Sequence, residues 1–161
     1  MNEVINKQWT SGAGLPFSFK KIESIAKSYV SSGSKIFIGT DSFISNKKVC
    51  FATALCLHGQ YAKGRYFFTK ENVLSLKYLN LASRITEEAR RSVELGCYLI
   101  DSLTIDPSHI ELHLDISPFS AGNATSKFSD MLRGYVQGFG FNYQVKPNAW
   151  ASQSIADRHS K

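Results

Sequence analysis

Residues 35–69 place the strongest constraint on the fold, because three strand-like runs follow one another with connections too short to hold a helix. The first, Lys35-Ile36-Phe37-Ile38-Gly39-Thr40-Asp41, is mostly apolar and closes on an acid. The second, about 48–57, reads Lys48-Val49-Cys50-Phe51-Ala52-Thr53-Ala54-Leu55-Cys56-Leu57. It is apolar at both parities, as a strand covered on both faces should be. His58-Gly59-Gln60 is a turn signal, and the third run, about 61–69, carries Tyr61, Tyr66, Phe67, Phe68 and Thr69, types that favour strands. Connections this short join antiparallel neighbours, so the three runs predict a meander.

The flanking segments are helical or mixed. Residues 1–16 read as an irregular lead-in, with Ser11-Gly12-Ala13-Gly14 and Pro16 as breakers, and 17–161 as a single domain. Ile22, Ile25, Ala26, Tyr29 and Val30 recur at the spacing of one helical face, with Ser18 as a candidate N-cap. A long helix is expected over about 77–101, its inward stripe formed by Leu81, Ile85, Ala89, Ser92, Leu95 and Leu99. A strand at 110–116 follows Asp106-Pro107. Phe128, Met131, Leu132, Tyr135 and Val136 mark another helix, ended by Gly138 and Gly140. A short strand at 141–145 precedes a last helix, for which Asn148 is the candidate N-cap. The order α-β-β-β-α-β-α-β-α predicts an α/β fold with a mixed five-stranded sheet and helices on both faces, strand 110–115 lying beside strand 35–41.

Four acids fall in settings that this architecture makes costly. Asp41 and Asp115 end apolar runs, Glu88 lies on the inward arc of the long helix, and Asp157 sits in the last helix. Carboxylates at such positions are expensive to desolvate unless positive charge sits among them, and a pair of divalent cations would supply it. Simpler roles exist for each. An aspartate at a strand end commonly bonds nearby backbone N–H groups. Glu111, His113 and Asp115 share a parity and could form a polar surface. At 100° per residue Glu87 points away from the inward arc, toward a surface ion pair with Arg84 or Arg91, whereas Glu88 falls inside it. Asp157 shares a helical face with Trp150, Ser154 and Lys161. His159 projects about 200° from Asp157 on a continuous helix, which puts it behind the acids or on the substrate side, where it could assist proton transfer.

The order of elements and acids resembles the ribonuclease H-like nuclease fold, with Ile38-Gly39-Thr40-Asp41-Ser42 similar to its first-strand signature. More narrowly, several phrases resemble the YkuK-like family. They are Gly64-Arg65-Tyr66-Phe67, His113-Leu114-Asp115-Ile116, Gly134-Tyr135-Val136, Lys146-Pro147-Asn148-Ala149-Trp150-Ala151 and Ala156-Asp157-Arg158-His159-Ser160-Lys161. The resemblance implies a metal-dependent nuclease acting by two-metal hydrolysis, with Asp41 bridging both ions and Glu88, Asp115 and Asp157 as further ligands. An oxygen-only set suits Mg²⁺ or Mn²⁺. The substrate implied is nucleic acid, foremost RNA or an RNA–DNA hybrid. The alternatives are a junction-resolving DNA endonuclease and a catalytically silent binding module on the same fold. Lys146, Arg158 and Lys161 are candidates to hold phosphates, and Trp150 either stacks on a base or belongs to the core.

Composition narrows the setting. A net charge of +6 and a pI near 9.3 permit a polyanionic partner, although the positive charge is dispersed. No run approaches the roughly 18 apolar residues of a membrane span, and residues 1–7 lack a signal-peptide pattern. Three cysteines without a Cys-x-x-Cys pair indicate neither a disulfide framework nor zinc, so a cytoplasmic setting is expected.

Overall fold

The meander forms, and each strand outruns its apolar stretch. In the computed structural model, which describes residues 6–60, 62–116 and 129–161, β3 spans Lys35–Ser45, β4 Lys48–Gly59 and β5 Ala62–Leu74. They are joined in antiparallel register, with Asp41 opposite Ala52 and Thr53 opposite Thr69. A two-residue turn, Asn46-Lys47, connects β3 to β4 with φ of 49° and 68°. Both values are left-handed, as the hairpin twist of a type I′ turn requires.

Among the described residues the sheet has seven strands rather than five: with β1 (Trp9–Ser11), β2 (Pro16–Phe17), β6 (Ile110–His113) and β7 (Asn142–Gln144), the order is β2-β1-β5-β4-β3-β6-β7. The extra pair comes from the segment expected to be irregular: β1 and β2 form a hairpin whose turn contains Gly12-Ala13-Gly14, while the supposed breakers Ser11 and Pro16 lie in the strands. Thr10 pairs with Phe68 on the free edge of β5. Strands of three and two residues cannot display alternation. They persist because Trp9 is 1% exposed and packs its ring on Phe19, 5.3 Å away.

Beyond the meander, β6 (Ile110–His113) pairs in parallel with β3 from Ile36 to Gly39, and β7 (Asn142–Gln144) pairs in parallel with β6. On one sheet face lie α1 (Phe19–Ser31), α2 (Leu81–Leu103) and α3 (Ser129–Gly138), burying Ile36, Ile38, Leu55, Leu57, Leu95 and Leu99. Ser18 caps α1 by accepting from the Lys21 N–H, and Asn80 caps α2 by accepting from Ser83. On α3, Leu132 and Val136 turn inward while Met131 and Tyr135 are exposed; Phe128 lies outside the described residues.

Among the described residues, the opposite face carries a single short helix, a π-helical turn Ala151–Ala156 running into α4 (Asp157–Ser160). It packs directly on β3 at Gly39, where a Cβ would stand 2.4 Å from the Ser152 nitrogen. Its start is held by a side chain from the sheet: the Ala151 N–H donates to His113 Nδ1 at 2.9 Å. Asn148, expected to cap this helix, is exposed; the Gln153 carboxamide instead accepts from the Ala149 N–H. Among the described residues no helix is long and apolar enough to cross a membrane.

Candidate metal centre

Strand alternation sends Phe37, Gly39 and Asp41 to the face of the C-terminal helix, and Ile38, Thr40 and Ser42 to the face of α2. Because β6 pairs with β3 only as far as Gly39, the edge of β3 beside Asp41 and Ser42 is open, and side chains from both faces can meet there. Thr40 Oγ1 lies 2.8 Å from Ser92 Oγ, and Ser42 Oγ donates to Glu88 Oε2 at 2.5 Å. Ser92 and Glu88 are one helical turn apart, so this polar ladder fixes α2 over β3 with Glu88 at the open edge. Asp115 stands just past the end of β6. The result is a cluster in which Asp41, Glu88 and Asp115 offer oxygen atoms all within 4.8 Å of one another.

This cluster is short of positive charge. Burial, reinforced by hydrogen-bonding contact with Asp115 and by the field of Glu88, pushes the Asp41 carboxyl up to about 9. Burial likewise pushes Glu88 up to about 8, against the lowering effect of the Ser42 hydroxyl. Lys146 Nζ reaches Asp115 Oδ1 at 3.2 Å. Arg84 lines the same cavity of about 150 Å³ as the three acids and Lys146, but its Nη1 donates to the carbonyls of Tyr78 and Leu79. Three converging carboxylates, two of them inclined to hold protons at neutrality, form a hard oxygen-only donor set that fits divalent Mg²⁺ or Mn²⁺.

The last helix brings two groups toward Asp41. Ser160 Oγ donates to Asp41 Oδ2 at 3.1 Å, and the Asp157 carboxyl approaches Asp41 closely enough to raise its pKa. Asp157 stands outside the mutual 4.8 Å of the other three, and Lys161 Nζ binds it at 3.1 Å. His159 goes elsewhere: its ring stacks on Phe68 at 3.6 Å between centroids and its Nε2 lies 3.1 Å from the Tyr66 hydroxyl. The Trp150 ring contacts Phe37 and His113 at 4.9 and 5.1 Å, so it belongs to the packing under the helix, half-buried. Arg158 is exposed.

Three supporting groups escaped the sequence reading. Ser42 follows Asp41 on the opposite parity, which turns it toward Glu88, and Ser160 lies three residues after Asp157; a hydroxyl beside an acid is the signal for both. His113, for which a polar surface shared with Glu111 and Asp115 was the simpler alternative, is 1% exposed because the C-terminal helix covers that face. Since Nδ1 accepts from Ala151, the proton is on Nε2, which donates to Glu111 Oε1 at 2.9 Å. Glu87, by contrast, meets Arg90 and Arg91 at 2.7 and 2.8 Å rather than Arg84. The cysteines are free, and burial pushes the Cys56 thiol up to about 12, which leaves it unreactive.

A ribonuclease H-like family model matches residues 18–161, and the chain belongs to that family. Such a domain with an acidic cluster suggests a nuclease-related function. Within the family the chain is YkuK-like. It is 26% identical over 137 residues to the uncharacterized protein YkuK of Bacillus subtilis (strain 168), covering 77% of each chain. No solved structure matches it.

Proposed function

We propose that this protein is a divalent-metal-dependent nuclease that hydrolyses phosphodiester bonds of nucleic acid, foremost RNA or an RNA–DNA hybrid. The observation that carries this reading is the convergence of Asp41, Glu88 and Asp115 at the open edge of β3. These three, with Asp157 completing the set, would hold two Mg²⁺ or Mn²⁺ ions. When bound, such ions supply a strong nucleophile at neutral pH and neutralise charge developing on the phosphoryl oxygens.

The protein's own groups would prepare that site. Ser42 and Ser160 each donate a hydrogen bond to one carboxylate, fixing Glu88 and Asp41 in single orientations. Lys146 and Arg84, at the mouth of the cavity, would hold a phosphate entering over the acids. His159, anchored on Tyr66 and Phe68, acts as a positioning residue that sets the last turn of the helix. Lys161 restrains Asp157, and the exposed Arg158, which has no ion-pair partner among the described residues, would meet the nucleic-acid backbone.

Labelled hybrid, duplex, single-stranded and branched substrates incubated with Mg²⁺ or Mn²⁺ test the reading. Cleavage that disappears with Asp41→Asn supports it, and preference for branched DNA would move the assignment to a junction-resolving enzyme. Cleavage that survives Asp41→Asn overturns it, as does no cleavage of any substrate, which leaves a binding module.

A further inference from the structure

Past Ser160, the sheet face that the C-terminal helix covers lies open. Alternation puts Phe43, Lys48, Cys50, Lys70 and Asn72 on that face, and with Ser160 and Lys161 they line a cleft of about 480 Å³. Among the described residues, no Asp or Glu side chain lines the cleft. Glu71, the acid of this stretch of β5, points to the other face and is held by Arg91 at 2.5 Å. Lys48 and Lys70 are exposed, and among the described residues neither has an ion-pair partner. Two lining residues touch the acids beyond it: Lys161 is bound to Asp157, and Ser160 donates to Asp41, so the cleft borders the carboxylate cluster.

Two further features mark this surface. The β3–β4 turn places Lys47 at φ 68°, a position that favours glycine because a Cβ crowds the following carbonyl. The exposed Lys47-Lys48 pair thus keeps charge where backbone geometry argues against a lysine. Phe43, 41% exposed on the same face, offers an aromatic surface among the lysines. A basic groove with an accessible aromatic is the pattern that binds one nucleic-acid strand, phosphates on the cations and a base on the ring.

We propose that this cleft binds single-stranded nucleic acid and leads it to the carboxylates, with Lys48 and Lys70 neutralising phosphates and Phe43 stacking on a base. The nuclease reading enters only in the destination of the strand; binding in the cleft is separable from it. The test is fluorescence anisotropy with short labelled oligo-U and oligo-dT in EDTA, titrated with KCl, so that nothing is cut. Lys48→Ala/Lys70→Ala should reduce the slope of log K against log[salt] by about 1.4, roughly 0.7 per lost phosphate contact. Phe43→Ala should weaken binding at an unchanged slope. Lys20→Ala/Lys27→Ala, on α1 across the sheet, should change neither. Tighter binding of oligo-U than of oligo-dT would assign RNA, and equal binding a strand read without its sugar; both support the cleft. An unchanged slope in the Lys48/Lys70 variant, or an equal loss in the α1 control, overturns it. Calorimetry with Mn²⁺ separates the two readings. A wild-type protein that binds no Mn²⁺ but shows the slope change loses the nuclease assignment and keeps the cleft. One that binds Mn²⁺ without the slope change does the reverse.

Discussion

Glu87 and Glu88 are neighbours on one helix, each 8% exposed, and their charges stand in opposite situations. Glu87 sits in a chain of alternating sign, Glu71–Arg91–Glu87–Arg90–Glu94, whose bonds run from 2.5 to 2.8 Å. Burial works against its ionisation, but the hydrogen bonds from Arg90 and Arg91 outweigh it and hold the carboxyl below its ordinary value. Glu88, turned 100° around the helix, meets a hydroxyl and two more carboxylates, and its carboxyl is pushed up. Equal burial therefore does not decide what a buried acid does. Its partners decide, and a set of acids left without enough cations is the arrangement that a metal ion would complete.

The largest effect that could break this contrast is on metal binding. Asp41→Asn should weaken Mn²⁺ binding by roughly a hundredfold or more, beyond the 10–100-fold typical of groups that only support a ligand. Glu87→Gln should leave it nearly intact. Calorimetry on both variants checks this, and equal losses would erase the distinction. Stability should reverse the order. Glu87→Gln leaves Arg91 poorly compensated and should cost about 2 kcal/mol in urea unfolding, reduced from the full buried-pair penalty because Arg90 is 42% exposed. Asp41→Asn needs no proton at pH 8, where folding must hold the Asp41 carboxyl protonated and the unfolded chain releases it, so it should stabilise the metal-free protein there.

The pH dependence sharpens the same contrast. Asp41 and Glu88 titrate near 9 and 8 when folded, above their ordinary 3.8 and 4.5, so the folded chain keeps protons that the unfolded chain releases. Stability without metal should fall, by on the order of a few kcal/mol, as pH rises from about 4 toward 9. His113 opposes this at the acid end: burial lowers its pKa, and the stability it contributes is lost as pH falls below its ordinary 6.5. Because Mn²⁺ must displace the carboxyl protons, its stabilisation in thermal melts should be larger at pH 8 than at pH 6. Constant stabilisation across that range would mean that the cluster is already ionised.

The smallest effect expected is from Ser42→Ala. It removes one hydrogen bond to Glu88 and should weaken Mn²⁺ binding by about tenfold, the low end for groups that only support a ligand. A loss as large as that of Asp41→Asn would make Ser42 itself a ligand.

Much of this was legible because it is periodic. The 100° step separates Glu88 from Glu87, and an apolar run that ends on an acid singles out Asp41 and Asp115, although β3 continues past Asp41 to Ser45 and β6 stops two residues before Asp115. The illegible parts are non-local or very short. β1 and β2 carry too few residues to show a pattern, and their stability comes from Trp9 packing on Phe19. The π turn before Asp157 was read as regular helix. The contacts around it come from far along the chain: the helix start bonds to His113 while the backbone rests on Gly39. Neither constraint lies within the ten residues that form the helix.

That docking has a consequence for how the molecule assembles. Asp41 and Ser160 are 119 residues apart, and the hairpins of β3, β4 and β5 can close through local pairing long before the last helix exists. Until Ala151 finds His113 and the backbone seats on Gly39, the face of Asp41 that this helix covers is open to water. Burial is the largest cause of its raised pKa, so the final docking step completes the electrostatic cost of the site. A cation that arrives while the acids are still wet meets the easiest binding state and makes closure more favourable. The C-terminal helix would thus act as a door that shuts most readily on a loaded site, linking the end of folding to the availability of metal.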